Sequence, residues 1–195
     1  VRLFEVGNRY LMDGKSVRET RMLAGLLTGP VAPEQWGAAT RSADFFDLKG
    51  DIEGLLAAGG RADEHRFVAA THPALHPGQS ARIERNGKVV GWAGALHPAI
   101  QTGLDITSNV YLFELEADVV MDGMLPKYHE ISRFPAVRRD LAVVIEDKYT
   151  AQAIQDEIRA ISGNLLTHLQ LFDEYRGEGI DSGRKSLALG LTLQD

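Results

Sequence analysis

The stretch ISRFPAVRRDLAVVIE, residues 131–146, decides how the second half of this chain folds. Two arginines, Arg138 and Arg139, lead directly into a run in which apolar side chains alternate between two faces. That run consists of Leu141, Ala142, Val143, Val144 and Ile145. Such a pattern predicts a strand with one buried face. Because the chain is acidic overall, two cations at the start of a strand indicate a surface that meets an anion.

The segments that follow predict a helix and two more strands. TAQAIQDEIRAIS, residues 150–162, has helical spacing with Thr150 as its N-cap. LLTHLQLFDEYRG and RKSLALGLTLQ alternate like strands and are joined by a glycine-rich turn. The order strand, helix, strand, strand matches the first four elements of the split βαββαβ, ferredoxin-like plan. The second helix and fourth strand of that plan are absent, so we expect a truncated domain that ends at Asp195.

The first half of the chain predicts a mixed antiparallel domain. VRLFEVGNRY, RMLAGLLTGP and VYLFELEADVV are strand-like, and SADFFDLKGDIEGLLAAGG carries apolar residues at helical spacing. ARIERNGKVVGWAGAL predicts a hairpin with Asn86 and Gly87 as its two-residue turn. We therefore predict an α+β chain with a first domain at residues 1–124, a linker at 125–131 and an incomplete ferredoxin-like βαββ domain at 132–195.

Composition narrows the class of protein. The 195 residues carry a net charge of −6 and include no cysteine, which excludes disulfides and thiolate metal sites. No apolar run is long enough to span a bilayer and no signal peptide is evident, so we expect a cytoplasmic protein with no membrane partner. The negative net charge argues against a protein that binds nucleic acid through its overall charge, but it leaves local basic patches possible.

Alternation predicts which residues of the second domain face outward. If the leucines of the last strand face the helix, Ser186, Ala188, Gly190 and Thr192 form an open face on the other side. His168 and Phe172 are then the only large rings expected on that face. Sheets of this topology bind RNA on such a face, with aromatic rings that stack on bases and arginines that hold phosphates. The candidate RNA-binding residues are Arg133, Arg138, Arg139, Phe172, Arg176, Arg184 and Lys185.

Three histidines invite a metal-site hypothesis that the backbone disfavours. His72 and His76 are four residues apart, but each precedes a proline, as does His97. Proline biases the residue before it away from the helix that would bring the two rings together. We therefore predict ordered loops and no metal site here, and no catalytic residue in this chain.

Five motifs, in the order FFDLKGDIEGLL, HPALHPGQSA, GALHP, ISRFPAVRRDLAVVI and LFDEYRGEGIDSGRKSLALGLTLQD, resemble the C-terminal part of the bacterial phenylalanine–tRNA ligase beta-subunit family. The resemblance implies a class II synthetase-like core module at 1–124 and a ferredoxin-fold anticodon-binding domain at 132–195. It also implies an (αβ)₂ ligase that binds tRNA, with catalysis in the alpha subunit. ATP and magnesium are implied for the whole enzyme, and no cofactor for this chain alone.

The first domain departs from the pattern of a working class II site. Arg2 and Glu5 are separated by one residue too many for an Arg-x-Glu pair, so on a strand their side chains point to opposite faces. The glycine-bearing segment GWAGALHPAI carries no arginine. We therefore expect a scaffold that does not aminoacylate by itself.

Two rival functions remain open from the residues alone. One is a ferredoxin-like module that binds only proteins. The other is a metal-dependent hydrolase that uses His72, His76, His97 and Asp44.

Overall fold

The computed structural model describes residues 1–124, 128 and 130–195, and these divide into two compact units, Val1–Lys127 and Tyr128–Asp195. Most of the predicted linker at 125–131 lies outside the described residues. Each unit is antiparallel and mixed, as the sequence predicts. None of the helices in the described ranges is both long enough and apolar enough to cross a bilayer.

The first unit is built on a six-stranded antiparallel sheet with the strand order β1-β2-β6-β5-β4-β3. Its strands are β1 (Arg2–Asp13), β2 (Ser16–Thr28), β3 (His65–Ala69), β4 (Leu75–Arg85), β5 (Lys88–Leu96) and β6 (Val110–Glu116). The predicted turn between β4 and β5 is confirmed, because Asn86 and Gly87 both adopt positive φ, at 52° and 78°. Two consecutive positive φ values are the geometry of a type I′ hairpin turn.

The outer hairpin of this sheet is longer than the strand that supports it. β1 and β2 pair along their whole length, from Arg2 opposite Leu27 to Asp13 opposite Ser16. β2 pairs with β6 only from Met22 onward. The end of the hairpin, residues 8–21, therefore extends past the edge of β6. The segment RMLAGLLTGP predicts a strand that starts at Arg21, whereas β2 begins at Ser16.

Helix α1 (Phe45–Ala58) covers one face of the sheet. Leu48, Ile52 and Leu56 are its buried residues, as the helical spacing predicts. They pack with residues of β2, β5 and β6 in the core. The Asp44 side chain caps the N-terminus by accepting from the backbone of Phe46 and Asp47.

Three shorter features correct the predicted boundaries of the first unit. The predicted strand VYLFELEADVV ends at Glu116, and its last residues begin helix α3 (Ala117–Met121). His97 caps the short helix α2 (Pro98–Gly103). His76 lies within β4 rather than in a loop. Proline is tolerated beside it because the β4–β5 register jumps from Leu75 to Ser80, which leaves Pro77 without a ladder partner.

The second unit follows the predicted order of strand, helix, strand, strand. Its elements are β7 (Val137–Glu146), α4 (Ala151–Ser162), β8 (Leu166–Tyr175) and β9 (Arg184–Leu193). Thr150 caps α4 by accepting from the backbone of Ala153 at 3.1 Å, as predicted. The sheet order is β7-β9-β8, with every pair antiparallel. The last strand is thus central, and two of its four leucines, Leu187 and Leu189, are fully buried.

Candidate nucleic-acid interface

The two faces of the β7-β9-β8 sheet differ sharply in chemistry. Residues directly opposite each other on antiparallel strands share a face. Leu187, Leu189 and Leu191 lie opposite Val143, Leu141 and Arg139, and this set forms the helix face. Ser186, Ala188, Gly190 and Thr192 lie opposite Val144, Ala142, Asp140 and Arg138, and this set forms the open face. The predicted alternation of β9 is therefore confirmed.

The paired arginines do not act on the same side of the sheet. Arg138 lies on the open face, with its Nε 3.6 Å from Asp140 Oδ1 in an exposed ion pair. Arg139 points to the helix face opposite Leu191. Both side chains are exposed, but only Arg138 stands beside the small residues of β9.

Gly190 forms the floor of a niche at the centre of the open face. A Cβ atom added at Gly190 would lie 3.5 Å from Asp140 Oδ1, 3.6 Å from Arg138 Nη2 and 3.7 Å from Phe172 Cδ1. The niche is thus walled by an arginine–aspartate pair on one side and by the edge of an aromatic ring on the other. Phe172 is 51% exposed, so its ring is open to a planar ligand.

Tyr175 also lies on the open face, where alternation along β8 does not predict it. The β8–β9 register shifts between Leu171 and Asp173, which is a β-bulge. Beyond the bulge, Asp173 lies opposite Ala188 and Tyr175 opposite Ser186, both on the open face. The signal was present in the sequence, since strict alternation after Leu171 would place the charged Asp173 against the helix.

The Tyr175 side chain is positioned by the loop that follows β8. Its hydroxyl donates to the carbonyl of Glu178 at 3.3 Å. A Cβ atom added at Gly177 would lie only 2.6 Å from Tyr175 Oη, so this ring position requires glycine there. The ring remains about half exposed. The open face therefore carries three exposed rings on β8: His168, which lies opposite Thr192 as predicted, Phe172 and Tyr175.

Arg176 is engaged within its own unit. Its Nε donates to Glu174 Oε1 at 2.9 Å, and its Nη1 donates to Asp147 Oδ1 at 2.5 Å. The hydrogen bond that Arg176 donates to Glu174, together with the charge of Asp147, raises the pKa of the Arg176 guanidinium. Arg176 thereby links the end of β8 to the turn after β7, and the two carboxylates balance its positive charge.

Lys185 lies on the helix face rather than on the open face. It is opposite Ile145 on β7, only 7% of its surface is exposed, and its Nζ is 3.8 Å from Glu174 Oε2. At this distance the two charges form only a weak ion pair. Its ammonium group is not presented beside Arg138 and Phe172.

The two remaining candidate cations lie at the margins of the unit. Arg184 is on the open face opposite Glu146, and it pairs with Asp181 at 3.6 Å. Arg133 precedes β7 and lies 3.7 Å from Glu130 Oε1, with nearly its whole side chain exposed. The seven predicted site residues are therefore dispersed, and only Arg138 and Phe172 meet at one place.

The three histidines of the first unit share one backbone motif. In His72, His76 and His97 the ring Nδ1 accepts from the backbone N–H two residues later, at 3.2, 3.0 and 3.2 Å. His72 also packs against Trp92, with ring centroids 5.0 Å apart. Across the described residues, no group of three or more histidine, aspartate or glutamate side chains is arranged to hold a metal ion.

Comparison with known families matches both units. Residues 1–117 match the family model described as the phenylalanyl tRNA synthetase beta chain CLM domain. Residues 132–195 match the model of the ferredoxin-fold anticodon binding domain, which confirms the fold predicted for the second unit.

Curated relatives extend over the whole chain. It is 48% identical over 194 residues to the phenylalanine–tRNA ligase beta subunit of Pseudomonas fluorescens strain Pf-5, and 46% identical over 195 residues to that of Nitrosococcus oceani. The beta subunit of Pectobacterium atrosepticum is 46% identical over 198 residues. In each case the whole chain is covered, but only 24% to 25% of the relative. With its first 117 residues matched to that family model, the chain belongs to the phenylalanyl tRNA synthetase beta chain family.

Proposed function

We propose that this chain contributes tRNA binding and subunit assembly to a phenylalanine–tRNA ligase, and that its second unit binds the anticodon region. The relatives are beta subunits of that ligase, and the second unit matches an anticodon binding domain. The observation that carries the proposal is the open face, where small β9 residues lie between Arg138 on β7 and the rings of Phe172 and Tyr175 on β8.

The chemistry of this face suits single-stranded RNA. Gly190, Ala188 and Ser186 leave room for a base to approach the sheet. Aromatic rings stack on bases with a contribution of about 1–3 kcal/mol each. Arg138 is the open-face cation nearest the niche, and its guanidinium suits a phosphate or the edge of a base. Arg184 and Arg133 extend the cationic surface, whereas Lys185 and Arg176 each pair with Glu174.

The first unit is proposed as a class II synthetase-like core module at residues 1–124 that serves as scaffold. The strand register places Arg2 opposite Leu27 and Glu5 opposite Ala24, so the two side chains point to opposite faces of β1. They therefore cannot form the paired Arg-x-Glu arrangement expected of a phosphate-binding strand. Within the whole ligase, we place ATP, magnesium and catalysis with the alpha subunit of a cytoplasmic (αβ)₂ assembly.

Titration of this chain with the anticodon stem-loop of a phenylalanine tRNA tests the proposal. Arg138→Glu should weaken binding and reduce the slope of log K against log salt by about 1, because one phosphate contact is lost. Arg139→Glu is the matched control. Arg139 carries the same charge as Arg138 and is also exposed, but it lies on the opposite face of the sheet. Equal losses for the two variants, or no binding by the unaltered chain, would remove the open face from the RNA interface.

A further inference from the structure

A cavity of about 330 Å³ lies at one end of the first sheet, between the start of β4, the end of β5 and helix α2. The loop between α2 and β6 and the first residues of β6 complete its wall. Small-molecule sites in proteins occupy roughly 300–1,000 Å³. The lining residues all lie between His76 and Tyr111, so one continuous part of the first unit builds the cavity.

An irregularity in β4 opens this space. The β4–β5 register passes from Leu75 opposite Leu96 directly to Ser80 opposite Gly94. Residues 76–79 of β4 therefore stand opposite the single residue Ala95. Inserted residues of this kind bend a strand and re-aim its side chains, and they are common beside functional sites. His76 and Gln79 belong to the irregular segment, and both line the cavity.

The opposite wall is held in place by hydrogen bonds that involve no ligand. Gln101 Nε2 on α2 donates to the carbonyl of Ser108 at 3.1 Å. The backbone N–H of Ile106 donates to the carbonyl of Gln101 at 3.0 Å. The hydroxyl of Thr28 on β2 donates to the carbonyl of Asn109 at 2.9 Å. The wall is thus formed in advance, which lowers the entropy cost of binding.

Tyr111 brings a buried hydroxyl to the cavity. Only 6% of this residue is exposed, and it lines the cavity. Its hydroxyl forms no hydrogen bond with any other residue that the structure describes. Buried polar groups are normally hydrogen-bonded, and a tyrosine hydroxyl can both donate and accept. This hydroxyl is therefore available to a ligand.

The other polar groups of the lining are neutral. The side-chain amides of Gln79 and Asn109 form no hydrogen bond within the described residues. His76 Nδ1 accepts from the backbone N–H of Gly78 at 3.0 Å, which leaves Nε2 as the donor of the neutral ring. Among the described residues, no arginine, lysine, aspartate or glutamate lines the cavity. The lining suits an uncharged ligand that carries donors and acceptors on its edge.

We propose that this cavity binds an adenine ring, either of a free nucleoside or of an unpaired nucleotide in RNA. Asparagine and glutamine amides match the donor and acceptor of adenine, whereas guanine is read by arginine or lysine and cytosine by aspartate or glutamate. Of these side chains, only the amides line the cavity. Leu96, Pro98 and Ile106 add apolar surface on which the faces of a ring can pack.

Titration calorimetry of this chain with adenosine tests the proposal. We expect one adenosine per chain, bound at least about tenfold more tightly than cytidine, guanosine or uridine. The affinity should change little with salt, because neither adenosine nor the amides carry a charge. Adenosine monophosphate should bind no more tightly than adenosine. A lack of saturable adenosine binding, equal affinity for the four nucleosides, or a large gain from the phosphate would each overturn the proposal.

Two variants test the assigned contacts. Tyr111→Phe removes only the hydroxyl, so the unfolding transition should stay unchanged while adenosine binding weakens about threefold to tenfold. Gln79→Ala should weaken binding by about tenfold. Gln35→Ala is the matched control, because Gln35 is also an exposed glutamine of the first unit but does not line the cavity. Full affinity in Tyr111→Phe, or equal affinity in the two glutamine variants, would contradict the assignment.

Competition with an oligoadenylate identifies the source of the adenine. If the oligoadenylate displaces adenosine and its own affinity falls in Tyr111→Phe, the cavity takes a base from RNA. If it does not displace adenosine, the cavity takes the free nucleoside, and either result supports the adenine site. The nucleoside titrations depend only on residues of the first unit. Their outcome is therefore independent of whether the second unit binds the anticodon region.

Discussion

The guanidinium of Arg41 holds both carboxylate oxygens of Asp47, with Nη2 2.6 Å from Oδ1 and Nη1 2.7 Å from Oδ2. Asp47 also accepts from the backbone N–H of Asp44 at 2.9 Å, which completes a capping box at the start of α1. The Arg41 hydrogen bonds hold the pKa of Asp47 at about 2, below its ordinary value. A surface arginine is thereby linked to the helix that covers the core.

This pair predicts an acid-dependent loss of stability in the first unit. Because the pKa of Asp47 is lowered by folding, its stabilisation is present above its unfolded pKa near 3.8 and is lost as pH falls toward 2. Arg41→Ala should lower the unfolding free energy only modestly at neutral pH, because the Arg41 side chain is exposed and its ion pair with Asp47 is screened by solvent. Urea unfolding at several pH values, followed by the fluorescence of Trp36 and Trp92, measures both effects. A variant with an unchanged pH profile below 4 would contradict the assignment.

Replacement by alanine is expected to change the stability of the first unit in opposite directions at two glycines. A Cβ at Gly91 on β5 would meet the backbone carbonyl of Glu114 and lie 2.5 Å from Leu115 Cδ2. Gly91→Ala should therefore cost about 1–3 kcal/mol through overpacking. Gly54 lies inside α1 with open space around it, so Gly54→Ala should stabilise the unit by about 0.5–1 kcal/mol. Thermal unfolding of the two variants beside the unaltered chain checks the signs, and destabilisation by both would show that α1 needs Gly54 for another reason.

The position of Lys185 on the helix face predicts that its replacement leaves RNA binding unchanged. Lys185→Met keeps an unbranched apolar chain in a buried place and removes a weak ion pair with Glu174, so the unfolding free energy should change by less than about 1 kcal/mol. Because Lys185 is on the helix face, the affinity for the anticodon stem-loop should stay unchanged. Denaturant unfolding and RNA titration of the same variant measure both quantities. A loss of affinity with unchanged stability would return Lys185 to the RNA interface.

Local patterns predicted the order of elements in the second unit, because alternation and helical spacing there agree with the caps and turns that bound them. They also placed Gly190 and Phe172 on the open face correctly. The β-bulge at Leu171 and Asp173 was not predicted, since a bulge changes register without changing strand propensity. Tyr175 was therefore missed, and Lys185 was grouped with cations that lie on the other face. In the first unit, β2 pairs with β6, from Met22 opposite Glu116 onward, and no local window of sequence contains that pairing.

Gly177 controls the position of Tyr175, and this control predicts an indirect effect on RNA binding. A Cβ at Gly177 would lie 2.6 Å from Tyr175 Oη and 2.9 Å from Cζ. Gly177→Ala should therefore displace the ring from the loop while the sheet stays intact. If Tyr175 stacks on a base, Tyr175→Ala should weaken binding of the anticodon stem-loop by about 1–3 kcal/mol. Gly177→Ala should produce a smaller loss in the same direction.

The ring position and the affinity have to be measured on the same variants. Chemical shifts of the Tyr175 ring report its displacement, and titration with the stem-loop reports its contribution. Ser182→Ala in the same loop is the control, since Ser182 is exposed and the Tyr175 hydroxyl donates to Glu178 instead. A displaced ring with unchanged affinity would exclude Tyr175 from the RNA contact and leave Phe172 and Arg138 to carry it. A ring that stays in place would instead mean that the loop backbone moves to accommodate the methyl group.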